Sequence, residues 1–197
     1  MATSVVTMMK IFESKGKYII IIVVVYLQLT SSCSTQLYRD QSFANIKNHT
    51  EKKKLKEFMA AGAEKKIDTH NTSADEIIKT ARKYLGVPHC MGGTTMKCMD
   101  CSGLLVTVFA SYGIKLPHNS EEQARYGKII SGMAELKKGD LVFFIRSYIT
   151  KSLITHSGIY TGNNRFIHTS SSNGVTITSL DDRWWKEKFI FATRLIE

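Results

Sequence analysis

The chain has no run of about 20 apolar residues, the length a helix needs to cross a bilayer, and no internal repeat. Its cysteines also lack the spacing of a zinc site. Cys98 and Cys101 form a Cys-x-x-Cys pair with His89 and Cys90 nearby, but no second pair stands at a usual distance, so no metal and no cofactor are expected. Acidic residues are scarce, 17 against 27 Lys and Arg, which leaves a formal charge of +10. Such an excess favours polyanions, whether nucleic acid, acidic lipid or the anionic polymers of a bacterial wall. Nucleic acid is discounted, because the basic residues crowd a polar stretch without the interleaved aromatics of a binding platform.

What is present begins with a leader. Lys10, Lys15 and Lys17 precede the apolar run Tyr18 to Leu29, and Thr30-Ser31-Ser32-Cys33 follows. A basic flank, about a dozen apolar residues and then small residues read as a secretory signal over residues 1–32, with an uncleaved anchor as the alternative. Small residues directly before a Cys resemble a bacterial lipoprotein signal, so Cys33 is expected to carry lipid such as palmitate and to become the mature N-terminus. Losing Lys10, Glu13, Lys15 and Lys17 with the leader lowers the formal charge only to about +8.

Residues 33–72 read as a polar, basic tether carrying Glu51-Lys52-Lys53-Lys54. Leu55, Phe58 and Met59 have helical spacing, but the pattern is not sustained. Order is expected from Ser73, where Ser73 and Glu76 make a capping box ahead of Ile77, Ile78, Ala81, Tyr84 and Leu85. A second helix should start at Cys101 and end near Gly113, and a third should be capped by Ser120 with Gln123 three residues on. Beyond it come strand-like stretches at 141–145, 155–160, 165–169, 175–179 and 189–196, joined by turns such as Thr161-Gly162-Asn163-Asn164. Helices followed by an antiparallel meander make an α+β domain over residues 73–197, with its N-terminal helices packed on a central sheet.

Asp100-Cys101-Ser102-Gly103, followed by Leu104, Leu105, Val106, Val108 and Phe109, carries the chemistry. A thiol at the first turn of a helix meets unpaired N–H groups and the positive end of the dipole, which favour the thiolate. His156 opens one strand and His168 lies in the next; Cys, a His to deprotonate it and a polar orienter form the template of cysteine acyl-transfer chemistry. Asn173 and Asp140 compete with His168 as orienter. A Cys98–Cys101 disulfide blocks this nucleophile, whereas Cys90–Cys98 braces the loop and leaves Cys101 free. Trp184-Trp185 reads first as packing against the last strand and second as an aromatic wall for a sugar or peptide.

The order helix, Gly92-Gly93 loop, Asp100-Cys101-Ser102-Gly103, Lys138-Gly139-Asp140-Leu141-Val142-Phe143-Phe144, His156-Ser157-Gly158-Ile159-Tyr160 and Phe166-Ile167-His168-Thr169-Ser170 resembles the NlpC family of papain-like bacterial cell-wall peptidases. The resemblance spans about residues 74–197. It implies a papain-like fold, with Cys101 as nucleophile, His156 as base and His168 as orienter. It implies that His89, Asp100 and Ser102 line the substrate, an amide of a peptidoglycan stem peptide between D-glutamate and a diamino acid. His118 stands where Arg is more usual, and His89 and Met91 stand where aromatics are common. A monomeric lipoprotein of the cell envelope is the expectation, with a catalytically weak wall-binding protein as the alternative.

Overall fold

The computed structural model describes Phe43 and residues 45–196; the leader, Cys33 and the start of the tether lie outside the described residues. The elements run α1 (His49–Ala60), α2 (Ala74–Arg82), α3 (Cys101–Ala110), α4 (Ser120–Gln123), β1 (Lys128–Ile130), a 3-10 turn (Met133–Glu135), β2 (Leu141–Phe144), β3 (His156–Gly162), β4 (Arg165–Ser170), β5 (Gly174–Ser179), α5 (Arg183–Lys186) and β6 (Phe189–Arg194). The six strands form one antiparallel sheet in the order β1-β6-β2-β3-β4-β5. This is the α+β, papain-like arrangement expected.

Leu141-Val142-Phe143-Phe144 is apolar without alternation because both sheet faces are covered. Leu141 and Phe143 join Ile77, Leu104, Leu105, Val108 and Phe109 under α2 and α3, while Val142 and Phe144 join Tyr160, Phe166 and Phe189 on the opposite face, with Trp185 packed against them. Residue Phe144 pairs with His156 across the β2–β3 ladder, so that histidine shares the second face with Phe144. Gly158 permits this crowding, since a Cβ there would stand 2.7 Å from the Phe166 ring and 2.8 Å from the Ile167 carbonyl oxygen.

The start of α2 follows its sequence. Ser73 Oγ accepts from the Glu76 N–H while the Glu76 carboxylate accepts from the Ser73 N–H, a reciprocal cap. The start of α4 does not, because Asn119 rather than Ser120 is its cap and accepts from the N–H groups of Glu121 and Glu122. The three-residue edge strand β1 had no legible pattern.

The tether also differs from its expectation. Phe43, Ile46 and Phe58, all within this stretch, are buried in the main core. Phe58 and Phe43 meet Phe191 of β6 at centroid distances of 5.8 and 6.0 Å. Arg125 closes the C-terminal end of α1 by donating to the carbonyls of Phe58 and Gly62, with its guanidinium 4.4 Å over the Phe58 ring. Lys52, Lys53 and Lys56 remain on the exposed side. A few widely spaced apolar residues suffice because their partners come from β6, far away in sequence.

Candidate active site

Asp100 builds the floor of the site. Its Oδ1 accepts from the Gly103 N–H at 2.6 Å, capping α3, and from Ser102 Oγ at 2.9 Å; its Oδ2 accepts from the Gly92 N–H at 2.7 Å. Burial alone raises this carboxyl's pKa, but the bonds from Gly103, His118, Ser102 and Gly92 leave it below the usual value. Gly103 is needed for a second reason: a Cβ there would lie 2.0 Å from the Gly93 carbonyl oxygen. The Gly-Gly loop therefore seats directly on the first turn of α3. A Cys90–Cys98 disulfide closes that loop, and Cys101 is free.

Cys101 is the first residue of α3 and is half-buried at the base of a cleft of about 840 Å³. Burial pushes its thiol pKa up. The charge of His156, hydrogen bonds with His156 and Ser120, and the Ser157 N–H outweigh that and bring it down from 9.0 to about 7. Ser120 Oγ lies 3.5 Å from Cys101 Sγ and 3.0 Å from Ser157 Oγ, and Gln123 Nε2 donates to the carbonyls of Ser102 and Pro117. The Ser-x-x-Gln pattern that suggested a helix cap is thus a brace between α3, α4 and β3.

His156 is buried at the start of β3, and its Nε2 lies 2.9 Å from Nδ1 of the fully buried His168. His168 Nε2 lies 2.9 Å from Thr178 Oγ1 of β5. Burial, reinforced by the neighbouring charge of His156, holds His168 well below the usual imidazole pKa, so it is neutral. A protonated His156 donates from Nε2 to His168 Nδ1, which places the His168 proton on Nε2 toward Thr178. The nitrogen of His156 left for Cys101 is Nδ1.

The sequence left two other orienters open, and neither meets His156. Asp140 is buried in an ion pair with Arg194 at 2.7 Å, and Asn173 stands at the exposed rim of the cleft. His89, Asp100 and Ser102 all line the cleft, though the carboxylate and hydroxyl of the latter two are engaged in the loop–helix junction. His118 also lines it, with Nε2 3.1 Å from Asp100 Oδ1. Among the described residues, no group of three or more His, Cys, Asp or Glu is placed to hold a metal.

The NlpC/P60 family model matches residues 86–194, the segment that carries every one of these groups. The chain belongs to the NlpC/P60 family. A probable endopeptidase NlpC homolog of Haemophilus influenzae is 38% identical over 136 residues, covering 66% of this chain and 70% of that protein. The gamma-DL-glutamyl hydrolase of Bacillus subtilis is 42% identical over 114 residues, which are 57% of this chain but 27% of that longer protein. An NlpC/P60 family protein from Bacillus cereus has a solved structure that aligns with a TM-score of 0.59 at 32% identity, covering 66% of this chain and 42% of that one.

Within this NlpC/P60 domain, sequence reasoning missed the site contacts of Thr178, Ser120, Ser157 and Tyr148, and the contact of Trp185 with the two histidines. Tyr148 reaches the cleft from the β2–β3 connection, and its phenol pKa is raised by burial and by the negative charges of Cys101, Asp100 and Glu121. Trp185 lies against both histidine rings. His89 and Met91 hold the loop positions where aromatics are common, and the aromatic face beside the two histidines comes instead from Trp185.

Proposed function

We propose that this protein is a cysteine peptidase that cuts amide bonds in peptidoglycan stem peptides, of the D-glutamyl–diamino acid endopeptidase type. The observation that carries the reading is the line from Cys101 through His156 and His168 to Thr178, set at the base of an open cleft. The Cys101 thiolate attacks the amide carbonyl carbon. The N–H groups of Cys101 and Ser102, in the first helical turn where no preceding carbonyl takes them, face the negative charge that develops on oxygen. Protonated His156 gives its proton to the leaving amine as the C–N bond breaks, leaving a thioester on Cys101. Neutral His156 then takes a proton from water, the hydroxide displaces the thiolate, and the acid product leaves. His168 holds the His156 ring and tautomer throughout without carrying charge itself.

The D-glutamyl bond is favoured by the names of relatives, the gamma-DL-glutamyl hydrolase above among them. Attachment to a membrane through lipid on Cys33, with the domain in the cell envelope, completes the proposal; among the described residues no helix is long and apolar enough to cross a membrane. Incubating the protein with purified muropeptides and weighing the products tests both the activity and the bond. Masses that place the cut elsewhere in the stem peptide retain the peptidase and reject the D-glutamyl assignment.

A further inference from the structure

The indole of Trp185 lies over the His156 ring, with centroids 4.8 Å apart and planes 33° from parallel. It meets His168 edge-on at 4.7 Å. Phe144 and Phe166 support it from the sheet at 4.9 and 5.4 Å, and Asp182 caps the short α5 that presents it. This is a clamped aromatic face on the ring that must become cationic, not an incidental neighbour.

The electrostatics of this corner give that face a task. His168 from β4 is neutral and supplies only a lone pair. The other titratable groups lining the cleft around His156 are Cys101 and Asp100 at α3, His118, His89, Tyr148 from the β2–β3 connection and Asp182 before α5. Asp100 is bound to Gly92, Ser102, Gly103 and His118, and Asp182 to the start of α5. Among the described residues neither carboxylate hydrogen-bonds to His156. Apart from the thiolate it serves, an imidazolium here finds its negative potential in the π cloud of Trp185, and such contacts strengthen when water is excluded.

We propose that Trp185 is a positioning residue that stabilises the charged form of His156 through its indole face and thereby keeps Cys101 ionised. The proposal rests on the assignment of Cys101 and His156 made above. Removing the π face weakens the imidazolium partner, so the thiolate forms only at higher pH. A merely structural role would lower the melting temperature or overall turnover and leave that pH unchanged.

The test is the pH dependence of Cys101 alkylation by iodoacetamide in the full-length protein, where the thiolate displaces iodide and forms an S–C bond. Mass spectrometry of the Cys101 peptide separates it from other cysteines. The wild-type midpoint is expected at about 7. Trp185→Phe should raise it by about half a unit and Trp185→Leu by about one unit. Fluorinated tryptophan incorporated at Trp185 in a Trp184→Phe background drains the π face at nearly constant shape, so the midpoint should climb with each fluorine; this arm decides the matter even where Trp185→Leu does not fold. Midpoints that stay at the wild-type value, or fall, overturn the proposal. A wild-type midpoint in the ordinary thiol range of about 8.5 instead overturns the assignment of the Cys101–His156 pair, and the proposal with it.

Discussion

His156 Nε2 and His168 Nδ1 lie 2.9 Å apart, joining the start of β3 to the middle of β4 through two buried rings. Because His168 is neutral, the proposed mechanism divides the work of the pair: His156 would change charge during the reaction, and His168 would fix the ring that does so.

The two positions should therefore tolerate substitution differently. His156→Gln removes the proton carrier, and a loss of about 10³- to 10⁴-fold in kcat/KM is expected. At His168 the contacting atom is Nδ1, whose place the Oδ1 of Asn approximates better than the more distant Oε1 of Gln. His168→Asn should keep the most activity, with a loss of about 10- to 100-fold, His168→Gln should keep less, and both should exceed His156→Gln. Steady-state kinetics on a muropeptide, with folding checked by thermal melting, ranks the three variants. Equal activity at the two positions contradicts the division.

Gly103→Ala is expected to destabilise the domain by about 2–4 kcal/mol, since its Cβ meets a backbone oxygen that cannot swing away. The Gly93 carbonyl must retreat, which pulls the Gly-Gly loop off α3 and disturbs the Asp100 cap. Chemical denaturation measures the loss, and an unchanged midpoint would show that the loop is not seated as described.

Much of this was legible in the sequence, and the reasons for the rest are physical. Ser73 and Glu76 announced α2 because a capping box is local, and the Asp-Cys-Ser-Gly run announced α3 with a thiol at its first turn for the same reason. His156 and His168 were visible as strand-borne histidines. Thr178 was not, because its contact depends on the β4–β5 register, in which His168 faces Thr176 and reaches Thr178 diagonally. Ser120 reads as a cap from sequence because a helix cap and a brace to Cys101 share the pattern Ser-x-x-Gln. Trp185 reads from sequence as packing first and as an aromatic wall second, and its contact with the histidines depends on which sheet face they share.

The burial of Phe43, Ile46 and Phe58, which fall in the 33–72 stretch read as a tether, gives a separate expectation. Phe58→Ala should cost about 3–5 kcal/mol, because Phe58 fills a core site against Phe191 and under Arg125. Deleting residues up to 72 should destabilise the domain at least as much. Denaturant melts of both variants check this, and wild-type stability in the truncated chain would restore the tether.

The central claim is that Cys101 is the nucleophile of an amidase reaction on stem peptides. It is tested most directly by the masses of products from purified muropeptides treated with the wild type and with Cys101→Ser, which preserves the shape of the site while a hydroxyl of far higher pKa replaces the thiolate. The account predicts cleaved products with the wild type and essentially none with a fully folded Cys101→Ser protein; the same products at a comparable rate from both would contradict it.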